Sequence, residues 1–209
     1  MAPISSTLVA VAALSSQALA ANYYVDCSQS SAGSGTQSSP WNSVAQVNSP
    51  TFAAGDVISI KAGTTCKGTL SPKGSGTASS SIKLTSYGSG SNPIIDGNGA
   101  TAAITLANQD YWSISKLSVT NAASALAARQ GIHATSSDGR THKGITIDGN
   151  TIYNVAGQTD KAKHSADFVL SAGILVDVAN KGSRYDDVLV QNNNVHDCGG
   201  GGIKVRVGE

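Results

Sequence analysis

The sequence has little charge. Only 13% of its 209 residues are Asp, Glu, Lys or Arg, and the formal net charge is +1. Because charge so sparse and balanced gives no electrostatic footprint for nucleic acid or anionic lipid, neither is expected as a partner. Helix-forming charged residues are scarce, whereas Gly, Ser, Thr and Ala are abundant. This composition favours short β-strands separated by tight turns.

The sequence also lacks an apolar run long enough to cross a bilayer, for which about 20 residues are needed. It begins with a shorter apolar run, 8–14, followed by Ala18-Leu-Ala20. This arrangement is typical of a secretory signal peptide cut after Ala20, although residues 1–6 carry no Lys or Arg. We therefore expect a signal peptide over residues 1–20 and one secreted, extracellular domain over residues 21–209.

Cysteine is rare, and no CxxC or HxxxH spacing indicates a metal site. In an oxidising compartment, Cys27 and Cys66 can close a loop of about 40 residues, which stabilises the fold by roughly 3–4 kcal/mol. Cys198 is left over, so it either pairs elsewhere or remains a free thiol. The sequence contains no N-x-[ST] sequon, and N-glycosylation is therefore not expected.

What the sequence does contain is a repeat. Three ten-residue units align, with apolar residues at the first, third and eighth positions and Asn or Asp at the last; they are 112–121, 145–154 and 188–197. Their starts lie 33 and 43 residues apart, so insertions fall between the units. A shorter element beginning with Gly-Ile follows each unit, at 131–134, 173–178 and 202–207. Such self-similarity predicts a solenoid, in which each repeat covers the apolar face of its neighbour.

Two further patterns concern the ends and the bends of this solenoid. Apolar residues at helical spacing in 40–47, with Ser39 as N-cap and Pro40 at the first helical position, predict a short helix. We expect this helix to cover the first coil, within an N-terminal cap of about residues 21–56 that precedes coils over about 57–209. Gly149-Asn150 and Asn192-Asn193 are predicted bends whose Asn side chains stack for structural reasons.

The repeats resemble the right-handed parallel β-helix of the pectin-lyase-like superfamily. Three other stretches share that resemblance: Tyr-Tyr-Val-Asp-Cys at 23–27, Phe-Ala-Ala-Gly-Asp at 52–56 and Pro-Ile-Ile-Asp-Gly at 93–97. The resemblance implies an all-β fold in which the Gly-Ile elements form the first strand of each coil. It also implies that their outward face lines a polysaccharide cleft. Because the superfamily includes lyases, hydrolases, esterases, epimerases and non-catalytic adhesins, it leaves the activity open.

Strand alternation assigns a direction to each residue of the Gly-Ile elements. The residues predicted to point inward are Ile132, Ala134, Ile174, Val176, Ile203, Val205 and Val207. Those predicted to point outward are His133, Thr135, Leu175, Asp177, Lys204 and Arg206. Since stacked coils lie about 4.8 Å apart, Asp177 is expected beside Arg206, with Lys204 diagonal to it.

Acidic polysaccharides can be cut by β-elimination, in which a base removes the C5 proton while cations stabilise the developing carboxylate dianion. We predict Lys204 and Arg206 as catalytic residues, because an amine can shift its pKa and a guanidinium grips carboxylate bidentately. His133 and Asp177 are predicted to bind substrate, and Asp177 could also orient Arg206. No cofactor is required by the sequence; Ca²⁺ stays open, although a single Asp on this face counts against calcium-dependent lyases. The insertion 155–172 is expected to form a wall of the cleft.

Three functions remain open. A lyase is favoured over a glycoside hydrolase, because a hydrolase needs two carboxylates roughly 5–10 Å apart and only Asp177 is evident. A non-catalytic carbohydrate-binding or adhesin protein is the third, since charges on an open sheet face can serve solubility alone. The sequence ends directly after a cleft strand, without a capping element. We therefore expect that the chain is truncated and that further coils follow residue 209.

Overall fold

The computed structural model describes residues 19–207 of the chain. The predicted signal peptide, residues 1–20, lies almost entirely outside the described residues. The two helices in the described range are short, and neither has the length or apolar character that a membrane span requires.

Short strands make up most of the regular structure. In chain order the elements are β1 (Asn22–Val25), α1 (Val44–Val47), β2 (Val57–Lys61), β3 (Thr65–Lys67), β4 (Ile82–Tyr87), β5 (Ile94–Asp96), β6 (Ala102–Ala107), β7 (Trp112–Ser115), β8 (Ser118–Asn121), β9 (Gln130–Ser136), β10 (Thr141–Asp148), β11 (Thr151–Val155), α2 (Ser165–Val169), β12 (Ala172–Val178), β13 (Arg184–Gln191), β14 (Asn194–Cys198) and β15 (Ile203–Val207).

The strands form three parallel sheets. The first has the order β1-β2-β4-β7-β10-β13, the second β14-β11-β8-β5-β3 and the third β15-β12-β9-β6. Each full coil contributes one strand to every sheet; β10, β11 and β12 make up one such coil. The protein is therefore an all-β parallel β-helix, as the sequence predicts.

The strand registers confirm the alignment of the sequence units. Ile145 pairs with Trp112 on one side and with Val188 on the other, so the three units occupy equivalent positions in successive coils. In the third sheet, Ile174 lies between Ile132 and Ile203. Most of these inward apolar side chains are fully buried, and burial of each contributes about 2 kcal/mol. Stacked apolar columns thus form the core.

The glycines that open the first two Gly-Ile elements have a steric cause. A Cβ on Gly131 would lie 2.6 Å from Ile152 Cγ2, and a Cβ on Gly173 would lie 2.5 Å from Val195 Cγ1. Real Cβ atoms do not approach other heavy atoms so closely. At these two positions the backbone of the third sheet therefore lies close to side chains of the second sheet, and only glycine fits there.

The predicted Asn bends form a hydrogen-bond ladder between coils. Asn150 is buried; its Nδ2 donates to the Ile114 carbonyl at 3.0 Å, and its Oδ1 accepts from the Leu117 amide at 3.1 Å. Asn193 Oδ1 accepts in turn from the Asn150 amide at 2.9 Å. The left-handed position of this bend is held by Asn192, with φ of 53°. The structural role predicted for these residues is confirmed.

The predicted N-terminal helix is shorter than the sequence indicated. Helix α1 covers only Val44–Val47, and its N-cap is Ser43, not Ser39. Trp41 is not helical, because its amide donates to Tyr24 and its carbonyl accepts from Asp26, which extends the edge of the first sheet. Pairing with β1 therefore overrides the helical pattern of residues 40–43.

A disulfide and a buried carboxylate tie the end of strand β1 to β2 and β3. Cys27 and Cys66 are bonded, which confirms the predicted pair. Next to them, Asp26 is buried and accepts hydrogen bonds from Ser28, Gln29 and Lys61. Burial raises the pKa of Asp26, but these hydrogen bonds lower it by more, so the net pKa lies well below its ordinary value.

We expect Asp26→Asn to reduce the free energy of unfolding by about 2 kcal/mol at pH 7, because charge-assisted hydrogen bonds are lost. The folded pKa lies below the unfolded one. The stabilisation is therefore present above about pH 4 and is lost as the pH falls through the folded pKa. Urea unfolding of both proteins between pH 7 and pH 2 checks this. A difference in stability that stays constant over that range would contradict the prediction.

The C-terminal end of the solenoid is apolar. Strands β13, β14 and β15 are the last strands of their sheets in the described range. The inward residues Ile203, Val205 and Val207 are 50%, 74% and 75% exposed and line an open cavity of about 390 Å³. Cys198 is a free thiol whose pKa is raised by burial. That further coils follow stays a prediction.

Candidate functional site

The candidate site lies on the outward face of the third sheet. The register places His133, Leu175 and Lys204 in one row across β9, β12 and β15. Thr135, Asp177 and Arg206 form the next row. The predicted position of Asp177 beside Arg206 is therefore confirmed, and Lys204 occupies the predicted diagonal position.

Asp177 is the centre of a charged network on this face. Arg206 Nε donates to Asp177 Oδ1 at 2.6 Å, and a terminal nitrogen of the same guanidinium donates to Oδ2 at 3.1 Å. His133 Nε2 lies 3.4 Å from Asp177 Oδ2. The side chain of Asp177 is 3% exposed, whereas those of His133 and Arg206 are 17% and 29% exposed. Asp177 is therefore placed to orient two side chains that solvent can reach.

The protonation of this network follows from its contacts. Burial raises the pKa of Asp177, but hydrogen bonds from His133 and Arg206 and the charge of the guanidinium lower it by more, so the net pKa lies below its usual value. Asp177 is therefore an anion at neutral pH. A neutral His133 that donates its Nε2 proton to this anion carries its lone pair on Nδ1.

Lys204 does not contact Asp177. Its amine donates to the backbone carbonyl of Phe168 at 2.6 Å and lies 4.2 Å from the centroid of the Phe168 ring. The pKa of Lys204 is lowered, first by burial and then by the positive charge of Lys161. No carboxylate lies within ion-pair distance of either amine in the part of the chain that the structure describes.

The insertion 155–172 forms one side of a cleft, as predicted. Its helix α2 supplies Phe168 and Val169, and Lys161 precedes that helix. Lys204, Val205 and Arg206 of β15 line the other side, and the open cleft between them has a volume of about 300 Å³. Leu175 points outward but is fully buried, so this face is covered next to Lys204. The outward surface is thus partly enclosed.

Sequence reasoning placed Lys161 in the insertion expected to form the cleft wall, but it did not single out Phe168. Both lie in an insertion without strand periodicity, so alternation assigns them no direction. One available signal was the position of the insertion, which leads directly into the cleft strand β12. An aromatic residue and a cation in such a segment are candidates for the cleft wall.

Calcium does not fit this site. Both oxygens of Asp177 accept hydrogen bonds from Arg206, and Oδ2 also faces His133. Within residues 19–207, no group of three or more His, Cys, Asp or Glu side chains is arranged to hold a metal ion. Hard cations need several free oxygen ligands, and this face does not offer them.

A second histidine cluster has a different character. His142 is buried between Asp110, 3.3 Å from Nδ1, and Asp138, 3.0 Å from Nε2. Hydrogen bonds from Arg140 and His142 lower the pKa of Asp138 to about 2, against a smaller effect of burial. Because both ring nitrogens of His142 face carboxylates and its side chain is only 3% exposed, His142 links adjacent coils and is not placed to reach a polymer.

The fold is shared with a carbohydrate-active enzyme. No protein-family model matches the sequence, and comparison with curated protein sequences finds no relative. Among solved structures, the chain is similar to the GH136 lacto-N-biosidase from Eubacterium ramulus. The selenomethionine derivative of that enzyme superposes with a TM-score of 0.71 at 21% sequence identity. The match covers 82% of this chain and 33% of the enzyme. Its native form gives a TM-score of 0.66 at 18% identity, covering 83% and 34%.

An alginate lyase from Paenibacillus sp. str. FPU-7 also matches, at 17% sequence identity and a TM-score of 0.43. The match covers 90% of this chain and 75% of the lyase chain. At such identities the likeness to the lacto-N-biosidase shows the fold alone. This chain spans about a third of the length of that enzyme.

Proposed function

We propose that this protein is a secreted polysaccharide lyase that cleaves an acidic, pectin-like cell-wall polysaccharide by β-elimination. The observation that carries the proposal is the network of Arg206, Asp177 and His133, in which Arg206 lines a cleft together with Lys161 and Lys204. The fold shared with an enzyme named as a lacto-N-biosidase agrees with a saccharide substrate.

Arg206 supplies the charge that β-elimination requires. Removal of the C5 proton turns the neighbouring sugar carboxylate into a dianion, which a guanidinium stabilises through paired hydrogen bonds. Asp177 uses two nitrogens of the guanidinium and thereby fixes its plane. A fixed cation needs no reorganisation as the charge develops, so more of its attraction is available to the transition state.

His133 is the base that this geometry supports best. Its contact with Asp177 orients the ring and leaves Nδ1 able to accept the C5 proton when the imidazole is neutral. Lys204, predicted from the sequence as a catalytic residue, has its amine bound by Phe168 and would first have to leave it. We therefore assign proton abstraction to His133 and charge stabilisation to Arg206. The C4–O4 bond then breaks as the C4=C5 double bond forms, and the leaving oxygen takes a proton from water.

Two observations favour elimination over hydrolysis. A hydrolase needs a carboxylic acid and a second carboxylate on opposite sides of the glycosidic bond. On the strands of the third sheet in the described range, Asp177 is the only acidic residue that faces outward, and it is ion-paired. The cations of the cleft, in contrast, suit a substrate that carries carboxylates.

Incubation with polygalacturonate, alginate and rhamnogalacturonan, with and without Ca²⁺, tests this function. We expect unsaturated sugar ends, detected by their ultraviolet absorbance, from at least one polymer. New reducing ends without that absorbance would show hydrolysis instead, and binding without either product would show a non-catalytic carbohydrate-binding protein.

His133→Gln keeps a hydrogen-bond donor for Asp177 but removes the base. We expect kcat to fall by about 100-fold, with little change in KM, because general-base catalysis acts on the chemical step. The matched control is His196→Gln, since His196 is exposed on the second sheet. An unchanged kcat in His133→Gln would remove His133 from the mechanism.

A further inference from the structure

One contact bridges the two sides of the cleft. The amine of Lys204 projects from β15 to the backbone carbonyl of Phe168 in α2, at 2.6 Å, and also lies over the Phe168 ring. Lys204 is thus part of the sheet face that we assign to the substrate and at the same time holds the opposite wall. A carboxylate that binds this amine competes with the Phe168 carbonyl and ring for its N–H groups.

The wall is otherwise weakly attached at this point. No residue of α2 is buried, and its N-cap, His164, makes no side-chain capping hydrogen bond. The ends of the insertion are fixed: Ser171 Oγ accepts from the Gln158 amide at 2.8 Å and donates to the Asp167 carbonyl at 2.7 Å. Gln130 of β9 also donates to the Leu170 carbonyl at the end of α2, and within residues 161–168 the contact with Lys204 is the one hydrogen bond to a strand of the third sheet among the described residues.

The amine of Lys204 is a cation without a carboxylate. Burial and the charge of Lys161 disfavour its charged form, and a carbonyl dipole and an aromatic face are its partners. A carboxylate is a stronger acceptor for an ammonium group than a peptide carbonyl, since the hydrogen bond is then assisted by both charges. An acidic sugar that enters the cleft therefore competes successfully with Phe168.

We propose that helix α2 is a latch: the Lys204–Phe168 contact holds it closed, and a carboxylate of an acidic polysaccharide opens it by taking the amine of Lys204. This inference rests on the proposed function, because it assumes that acidic sugar binds in the cleft. Since ligand and latch compete for one amine, the coupling is reciprocal. Weakening the latch tightens binding of the ligand, and binding of the ligand loosens α2.

Hydrogen–deuterium exchange of residues 160–171 tests the latch itself. Lys204→Met keeps the length of the side chain and removes the donor, so the amides of α2 should exchange about tenfold faster than in the unchanged protein. Lys163→Met, in the same insertion but outside the cleft lining, is the matched control and should change nothing. Equal exchange in Lys204→Met and the unchanged protein would overturn the latch.

Calorimetry with oligogalacturonate tests the release step. Phe168→Leu removes the ring but keeps an apolar side chain, so the oligosaccharide should bind about three- to tenfold more tightly. Weaker binding would show that the ring is a stacking surface for sugar and would overturn the latch. If oligogalacturonate does not bind while Lys204→Met still accelerates exchange, the proposal that this acidic sugar opens the latch is overturned. The proposed function is judged separately, by the product assay with all three polymers.

Discussion

Replacing Arg206 with lysine is expected to lower kcat for polysaccharide cleavage by about 1,000-fold. Asp177 is bound by two nitrogens of the guanidinium, at 2.6 and 3.1 Å. A lysine amine is a single point charge, so it cannot hold Asp177 in this way and also present a fixed pair of donors to a sugar carboxylate. Initial rates of unsaturated product formation measure the effect, and far-UV circular dichroism shows whether the β-helix persists.

Arg184→Lys is the matched control for this experiment. Arg184 is an exposed residue of β13 on the first sheet, remote from the cleft, and its replacement should leave kcat within about twofold of the unchanged protein. If Arg206→Lys also retained full activity, charge stabilisation by the guanidinium would be excluded. A parallel loss of circular dichroism would instead indicate that the Arg206–Asp177 pair serves stability.

The largest expected change in stability comes from Asn150→Ala. The side chain of Asn150 satisfies the Ile114 carbonyl and the Leu117 amide, both of the preceding coil. Alanine leaves these buried groups without partners, and each unsatisfied group destabilises by about 1–3 kcal/mol. We expect the free energy of unfolding to fall by about 4 kcal/mol, and Tm by about 10 °C. Chemical denaturation and thermal scans measure both.

Asn194→Ala provides the comparison. Asn194 is exposed in β14, close to the same bend, so its replacement should change the free energy of unfolding by no more than about 0.5 kcal/mol. A loss below about 1 kcal/mol in Asn150→Ala would mean that water replaces the side chain. The ladder would then not be what holds adjacent bends in register.

Much of the fold could be predicted from the sequence because its determinants are local. Two-residue alternation brings Ile132, Ile174 and Ile203 into one column, and the same alternation puts Asp177 beside Arg206. The prediction failed at Trp41, where helical spacing lost to pairing with the edge of β1. The spacing of apolar residues describes one segment alone. It cannot show that a strand elsewhere in the chain has free hydrogen-bonding groups that pair with the backbone of that segment.

The candidate site, too, could be predicted only in part. Alternation identified His133, Asp177, Lys204 and Arg206 as outward residues, but it could not show that Asp177 is almost completely shielded from solvent. Shielding depends on the side chains that the adjacent coils place against Asp177, which are His133 and Arg206. This shielding decides the role of Asp177. An exposed carboxylate could bind substrate directly, whereas the shielded carboxylate of Asp177 orients its neighbours.

The sequence by itself determined the coil, the stacking of its apolar columns and the order of charged residues along one face, since each follows from a repeated pattern within a strand. Only the tertiary structure decided where the amine of Lys204 goes. Phe168 lies 36 residues earlier, in an insertion without periodicity. Its position depends on how the anchored ends of that insertion let α2 pack against β15, and no pattern along the chain encodes that distance.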